Sequence, residues 1–221
     1  MSKIVVVAPH PDDEILGAGG YLLKHKEMGD DIFWLIITDM KESYGYSFER
    51  CKTRKTEIEK VATALGVNKV YNLELQPAGL EKYPTGTLIK AISEVFQEIK
   101  PDIVILPNEA DVHSDHGIVF KAAYACTKTF RYPTIKKVMC MEVISETDYA
   151  VYNKGFIPNY FVNIEEYIEQ KVKIAEIYES EIQLSPFPRS KESLYALSVI
   201  RGASCFCKNA EAFCVLKSIE N

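Results

Sequence analysis

The apolar positions of this chain alternate between short β-branched runs and longer stretches of helical spacing. Ile4-Val5-Val6-Val7-Ala8 is an unbroken run, as expected of a strand covered on both faces. From Glu14 to Met28, Ile15, Leu22 and Leu23 follow helical spacing, and Gly29 stands where a helix C-cap belongs. The cycle recurs three times. Strand Ile32–Thr38 leads to helix Cys51–Leu65, closed by Gly66; strand Lys69–Leu73 leads to helix Thr87–Ile99, stopped before Pro101; strand Ile103–Leu106 leads to helix Gly117–Phe130. A fifth strand is predicted at Val138–Ile144. This alternation predicts an α/β fold, Rossmann-like and doubly wound, with a mostly parallel sheet and helices on both faces. After residue 150 the pattern changes to a strand at Tyr160–Ile164 and a long amphipathic helix at Glu165–Ile182. Ser185-Pro186-Phe187-Pro188 breaks that helix, and a mixed tail follows. The expected organisation is one domain over 1–221, with a core at 1–150 and a C-terminal extension at 151–221.

With 47% hydrophobic and 26% charged residues in 221, the chain has material for a real core. Its formal net charge of -5 argues against a nucleic-acid binder, which needs a cationic surface to displace counterions. No apolar run is long enough for a membrane span, and Ile4–Ala8 is too short for the core of a signal peptide. The six cysteines are scattered. Cys51, Cys126 and Cys140 read as buried thiols, and Cys205-Phe206-Cys207 lacks the second Cys/His pair of a zinc finger. A cytoplasmic location is the expectation.

Three of the four histidines follow predicted buried strands; His25, between Lys24 and Lys26, reads as a solvated surface residue. His10-Pro11-Asp12-Asp13-Glu14 comes after the first strand, and Asp111-Val112-His113-Ser114-Asp115-His116 after the fourth. In a 3-2-1-4-5 sheet these loops face each other across the crevice where the strand order reverses, the usual ligand site of such folds. His10 and Asp13 are one helical turn apart, and one imidazole from the facing loop completes a two-histidine, one-carboxylate set of the kind that holds catalytic zinc. Asp12 and the other histidine remain for proton transfer. Taken singly, each motif also reads as a helix N-terminus with capping carboxylates. Gly17-Ala18-Gly19-Gly20 lies within a helix, where it suits close packing on the sheet better than a phosphate loop.

The two motifs resemble the signatures of the PIG-L/LmbE-like de-N-acetylases. The similarity extends to Arg54-Lys55-Thr56-Glu57 and Ala62 to Val67 between them. It continues at Tyr178-Glu179-Ser180, Arg201-Gly202 and Ala210-Glu211-Ala212-Phe213. The resemblance implies a Rossmann-like zinc hydrolase that removes the acetyl group from an N-acetylglucosamine-type sugar or conjugate. It implies zinc ligands His10, Asp13 and His116, with Asp12 as general base. It implies His113 as general acid or oxyanion partner, with Asp115 orienting it and raising its pKa. It implies substrate contact for Arg54, whose alternative is a helix-surface arginine paired with Glu57 or Glu59. Ser114 replaces a common proline, and Asn209 a common tyrosine, in a segment that could shape the pocket. The expected partner is a small N-acetylated sugar, without nucleic acid or membrane span, and a homo-oligomer is left open. The competing readings are an amidase on a larger sugar conjugate and a non-catalytic sugar or nucleotide binder. Tyr44, Tyr46, Phe48 and Tyr83 could line the sugar pocket or anchor their own loops.

Overall fold

The structure is a computed structural model describing residues 1–150 and 155–220. The expected extension begins at 151, and residues 151–154 lie outside the described ones. Seven strands form one sheet in the order β3-β2-β1-β4-β5-β7-β6. Strands β1 (Lys3–Ala8), β2 (Asp31–Thr38), β3 (Lys69–Leu75), β4 (Ile103–Leu106) and β5 (Lys137–Met141) pair in parallel. The expected 3-2-1-4-5 order is therefore present, and the reversal falls between β1 and β4.

Alternation along β1 divides the core. Ile4, Val6 and Ala8 pack with Trp34 and Ile36 against α1 (Asp13–Glu27), α2 (Phe48–Leu65) and α5 (Ile168–Ala175). Val5 and Val7 pack with Leu35, Val104 and Leu106 against α3 (Thr85–Ile99) and α4 (Ser114–Ala125). Both sets are fully buried, which explains the unbroken apolar run. The glycines of α1 allow close packing: a Cβ on Gly17 would lie 2.8 Å from Met141 Cγ, and one on Gly20 2.7 Å from Ile164 Cγ2.

Several expectations need correction. The helix expected at Gly117–Phe130 starts three residues early, because His113 caps it, and ends at Ala125. Thr127 Oγ1 bonds back to the Tyr124 carbonyl there, and Phe130 is exposed. The fifth strand ends at Met141, after which Thr147 Oγ1 accepts the Val143 N–H and starts a turn. The long helix expected at Glu165–Ile182 is only α5; tight turns follow, with Tyr178 N bonded to Ala175 O and Glu181 N to Tyr178 O. Tertiary contacts outweigh the helical pattern there, since those turns carry Tyr178 to Glu14 and Glu181 to Arg54.

The mixed tail contains α6 (Lys191–Ala203) and β7 (Ala210–Ser218). β7 is antiparallel to both its neighbours, β5 and β6 (Tyr160–Asn163). Glu211 on β7 accepts the Gly20 and Tyr21 N–H groups of α1, each at 2.7 Å. Lys171 bridges Glu211 Oε1 and the Leu16 carbonyl. His25 is not a solvated surface residue. It bonds Asp30 at 2.7 Å and stacks on Tyr21, with 17% of its side chain exposed. Cys126 and Cys140 are buried and Cys51 half-buried. No helix among the described residues is long and apolar enough to cross a membrane.

Candidate metal centre and active site

The loop after β1 enters α1 through Asp12, whose φ of 145° and ψ of -30° are strained for a residue with a side chain. Such conformations cost about 1–3 kcal/mol and persist only when neighbours enforce them. Glu14 Oε2 accepts the Asp12 N–H at 3.0 Å, and Tyr178 OH holds Glu14 Oε1 at 3.1 Å. Arg54 Nη1 donates to the Pro11 carbonyl at 2.7 Å. The consecutive acidic residues thus diverge: Asp13 faces the histidines, Asp12 the cavity and Glu14 the core.

His10, Asp13 and His116 bring one ligand atom each to within 4.8 Å of one another. Asp13 Oδ2 lies 3.5 Å from His10 Nδ1 and 3.4 Å from His116 Nε2. The opposite nitrogens are held by other carboxylates: His116 Nδ1 by Asp111 at 2.7 Å, and His10 Nε2 by Asp115 at 3.1 Å. A carboxylate on the far ring nitrogen fixes the tautomer that leaves the near lone pair for a metal. His116 Nε2 is buried without a hydrogen-bond partner, as a ligand atom should be. This orphaned nitrogen, with a buried carboxylate and a second imidazole beside it, fits a divalent metal. His10, His113 and Asp115 form a second close trio. That trio fits a metal less well, because the Asp115 carboxylate already accepts the Ala78 and Leu80 N–H groups as well as facing His10.

The electrostatics follow from these contacts. Burial opposes charge on His10 and His116, but the Asp115 and Asp13 carboxylates raise the first to about 9. The Asp13 charge and the Asp111 hydrogen bond raise the second to about 10. Burial raises Asp13, but the charge of His116 and the hydrogen bond to His10 outweigh it and hold the group ionised. Burial, then the Asp13 charge, pushes Asp12 well above the usual carboxylate range, and Arg189 pulls it back.

His113 departs from expectation. Its Nδ1 accepts the Asp115 backbone N–H at 3.1 Å, capping α4, while the Asp115 carboxylate points to His10 and the 78–80 turn. Asp115 therefore orients His113 through its backbone amide. Burial and the neighbouring His10 push His113 down to about 4, opposite to the expected rise. The ring is neutral, with its proton on Nε2.

A cavity of about 220 Å³ opens on this cluster, lined by His10, Asp12, Asp13, His113, Tyr46 and Arg189 among others. The chain matches the family model described as PIG-L: GlcNAc-PI de-N-acetylase over residues 5–127. It belongs to that family. It is 28% identical over 190 residues to the diacetylchitobiose deacetylase of Thermococcus kodakarensis, covering 82% of this chain and 70% of that one. It is 26% identical over 161 residues to a Bacillus subtilis protein described as a probable N-acetyl-α-D-glucosaminyl L-malate deacetylase, covering 66% and 72%. The crystal structure of a conserved protein from Thermus thermophilus superposes with a TM-score of 0.79 at 25% identity, covering 100% and 97%.

Within this PIG-L chain, Arg54 is a lining residue that is only 4% exposed, not a helix-surface arginine. Besides Pro11 it bonds Ser180 Oγ at 3.1 Å and Glu181 at 2.5 Å, and its Nε faces Glu57 at 3.0 Å. Sequence reasoning missed Arg189, which donates to Asp12 Oδ2 at 2.8 Å, Glu181 at 3.1 Å, Glu146 at 3.3 Å and Ser145 at 2.7 Å. It also missed the His116 partner Asp111, although that carboxylate stands five residues ahead of the histidine. Tyr46 lines the cavity, whereas Tyr44 bonds the Glu74 carbonyl and Phe48 is 60% exposed. Asn209 bonds Ser198 and does not line the cavity.

Proposed function

We propose that this protein removes the acetyl group from the amine of an N-acetylglucosamine-type sugar or conjugate, using zinc held by His10, Asp13 and His116. Two imidazole nitrogens and one carboxylate are the donor set of catalytic zinc. When bound, the zinc supplies Lewis-acid chemistry toward the acetyl carbonyl and the attacking water.

Asp12 accepts a proton from the water that attacks the acetyl carbon and passes it to the departing amine, leaving acetate and a free amino sugar. Burial and the Asp13 charge make it a stronger base than an exposed aspartate, and Arg189 orients it. His113 serves as a neutral donor. With Nδ1 occupied by the helix amide, its Nε2–H is available to the oxyanion of the tetrahedral intermediate. A neutral imidazole at a helix N-terminus polarises a carbonyl in the same way in triosephosphate isomerase.

The observation that carries this reading is Asp12 in the cavity beside three converging ligand atoms, with every second ring nitrogen already satisfied. Acetate release from N-acetylglucosamine derivatives tests it. Asp12→Asn should keep full metal content while losing roughly 10²–10⁴ in rate. An active Asp12→Asn protein, or one without metal, would refute the assignment of the base.

A further inference from the structure

We propose that Cys205 and Cys207 form a redox-active dithiol that exchanges with low-molecular-weight disulfides and closes to an intramolecular disulfide. The two residues stand in the turn that leaves α6 and leads into β7. Their sulfurs lie 3.4 Å apart. A disulfide bond measures about 2.05 Å, so a small further approach closes the ring. The turn holds the pair in place. The Cys205 and Cys207 N–H groups both donate to the Gly202 carbonyl at 3.0 Å. A Cβ on Gly202 would lie 2.5 Å from the Cys207 carbonyl oxygen and 2.7 Å from that of Lys208, so the turn is seated where only glycine fits. Phe206, between the two thiols, has a φ of 59°, the left-handed conformation that favours glycine. Its ring is fully exposed, so packing of that side chain does not account for the turn.

The surroundings assign the two thiols different parts. Of the six cysteines Cys205 alone is exposed, while Cys207 is half-buried and Cys126 and Cys140 are buried. Burial, then the neighbouring Cys205 thiol, raises Cys207 to about 11, so it keeps its proton at neutral pH. The exposed thiol therefore reacts first. As a thiolate, Cys205 attacks one sulfur of an external disulfide; the S–S bond there breaks, a mixed disulfide forms on Cys205 and one small thiolate leaves. That step removes the Cys205 thiol that helped hold the Cys207 proton. Cys207 then loses its proton to water and attacks Cys205 Sγ, expelling the second small thiolate. The protein dithiol has given up two electrons and two protons, and the external disulfide has become two thiols. Because the second sulfur is already in place, closure is intramolecular and outruns the first step.

The test incubates the folded full-length protein with oxidised glutathione, quenches with acid, alkylates the remaining thiols and maps the peptides by mass. Wild type should show one internal Cys205–Cys207 bond, a loss of two hydrogens, with glutathione on neither residue; excess reduced glutathione should reverse it. Cys207→Ser should stop at the first step and carry glutathione on Cys205, about tenfold or more above the wild-type level, since the intramolecular attack is gone. Cys205→Ser should take up glutathione on Cys207 several-fold more slowly than Cys207→Ser does on Cys205, as expected of the less accessible, more basic thiol. Wild type that accumulates glutathione on both cysteines, that links two chains through Cys205, or that reacts at Cys51 or Cys214 before Cys205, would overturn the proposal. So would a metal ion bound by the wild type and lost in Cys205→Ser, which would make the pair a ligand site instead.

Discussion

Arg189→Gln offers the sharpest test of how the base is tuned. The guanidinium donates to Asp12 Oδ2 at 2.8 Å, and its charge is shared with Glu181 and Glu146. At a charge separation of about 4 Å and an effective dielectric of about 20, one full pair is worth ~4 kcal/mol. Assigning about a third of this to Asp12 gives ~1.4 kcal/mol, or about one pH unit. The sign is fixed, because Arg189 lowers the Asp12 pKa, so removing it raises that pKa. The acid limb of kcat/KM against pH should therefore move up by about one unit. Well below the limb the rate should fall about tenfold, while the plateau above it changes little. The assay is acetate release from pH 5 to 9, with bound zinc measured at each pH. Arg189→Lys keeps a cation and should return the limb most of the way. A uniform loss across the pH range with the limb in place would refute the electrostatic role and leave Arg189 as a packing residue.

Two further outcomes follow from the geometry. His10→Ala, Asp13→Ala and His116→Ala should each lose zinc by metal analysis while His25→Ala retains it; Asp111→Ala and Asp115→Ala should weaken binding roughly 10–100-fold, as expected for carboxylates behind ligating histidines. Because His113 sits near 4 and its partner from Asp115 is a backbone amide, Asp115→Asn should leave the alkaline limb unshifted. A downward move of that limb would restore His113 as a charged acid.

The parts of this protein legible in its sequence are those that local spacing determines. Buried parallel strands give unbroken apolar runs, so β1 to β5 and their order followed from Ile4–Ala8 and its successors. His10 and Asp13 stand three residues apart where the loop after β1 enters α1, and His113 and His116 three apart where α4 begins, so both halves of the centre announced themselves at the strand ends. What stayed hidden depends on contacts between distant segments. Asp115 is one residue from His116 and two from His113, yet its carboxylate serves His10, 105 residues away in sequence. Arg189 follows a proline-broken stretch without periodicity, and nothing local points it at Asp12. The helix read through Tyr178 fails for the same reason: Glu14 and Arg54, on other elements, set the path of that turn.

The position of β7 has a consequence for synthesis. The ribosome delivers β1 to β5 and all three proposed zinc ligands by residue 141, but the strand that pairs with the outer edge of β5 begins at Ala210. At roughly 5–20 residues per second, several seconds pass in which that edge, carrying Val138, Met139 and Cys140, has no partner. An open apolar edge is a template for pairing with other chains. Arg189 emerges within the same interval, so the nascent protein holds its ligand set before it has either the guanidinium beside Asp12 or a closed sheet. Chaperone dependence should therefore concentrate in that window, and a Lys or Glu at the β5 edge would relieve it at the expense of the β5–β7 packing.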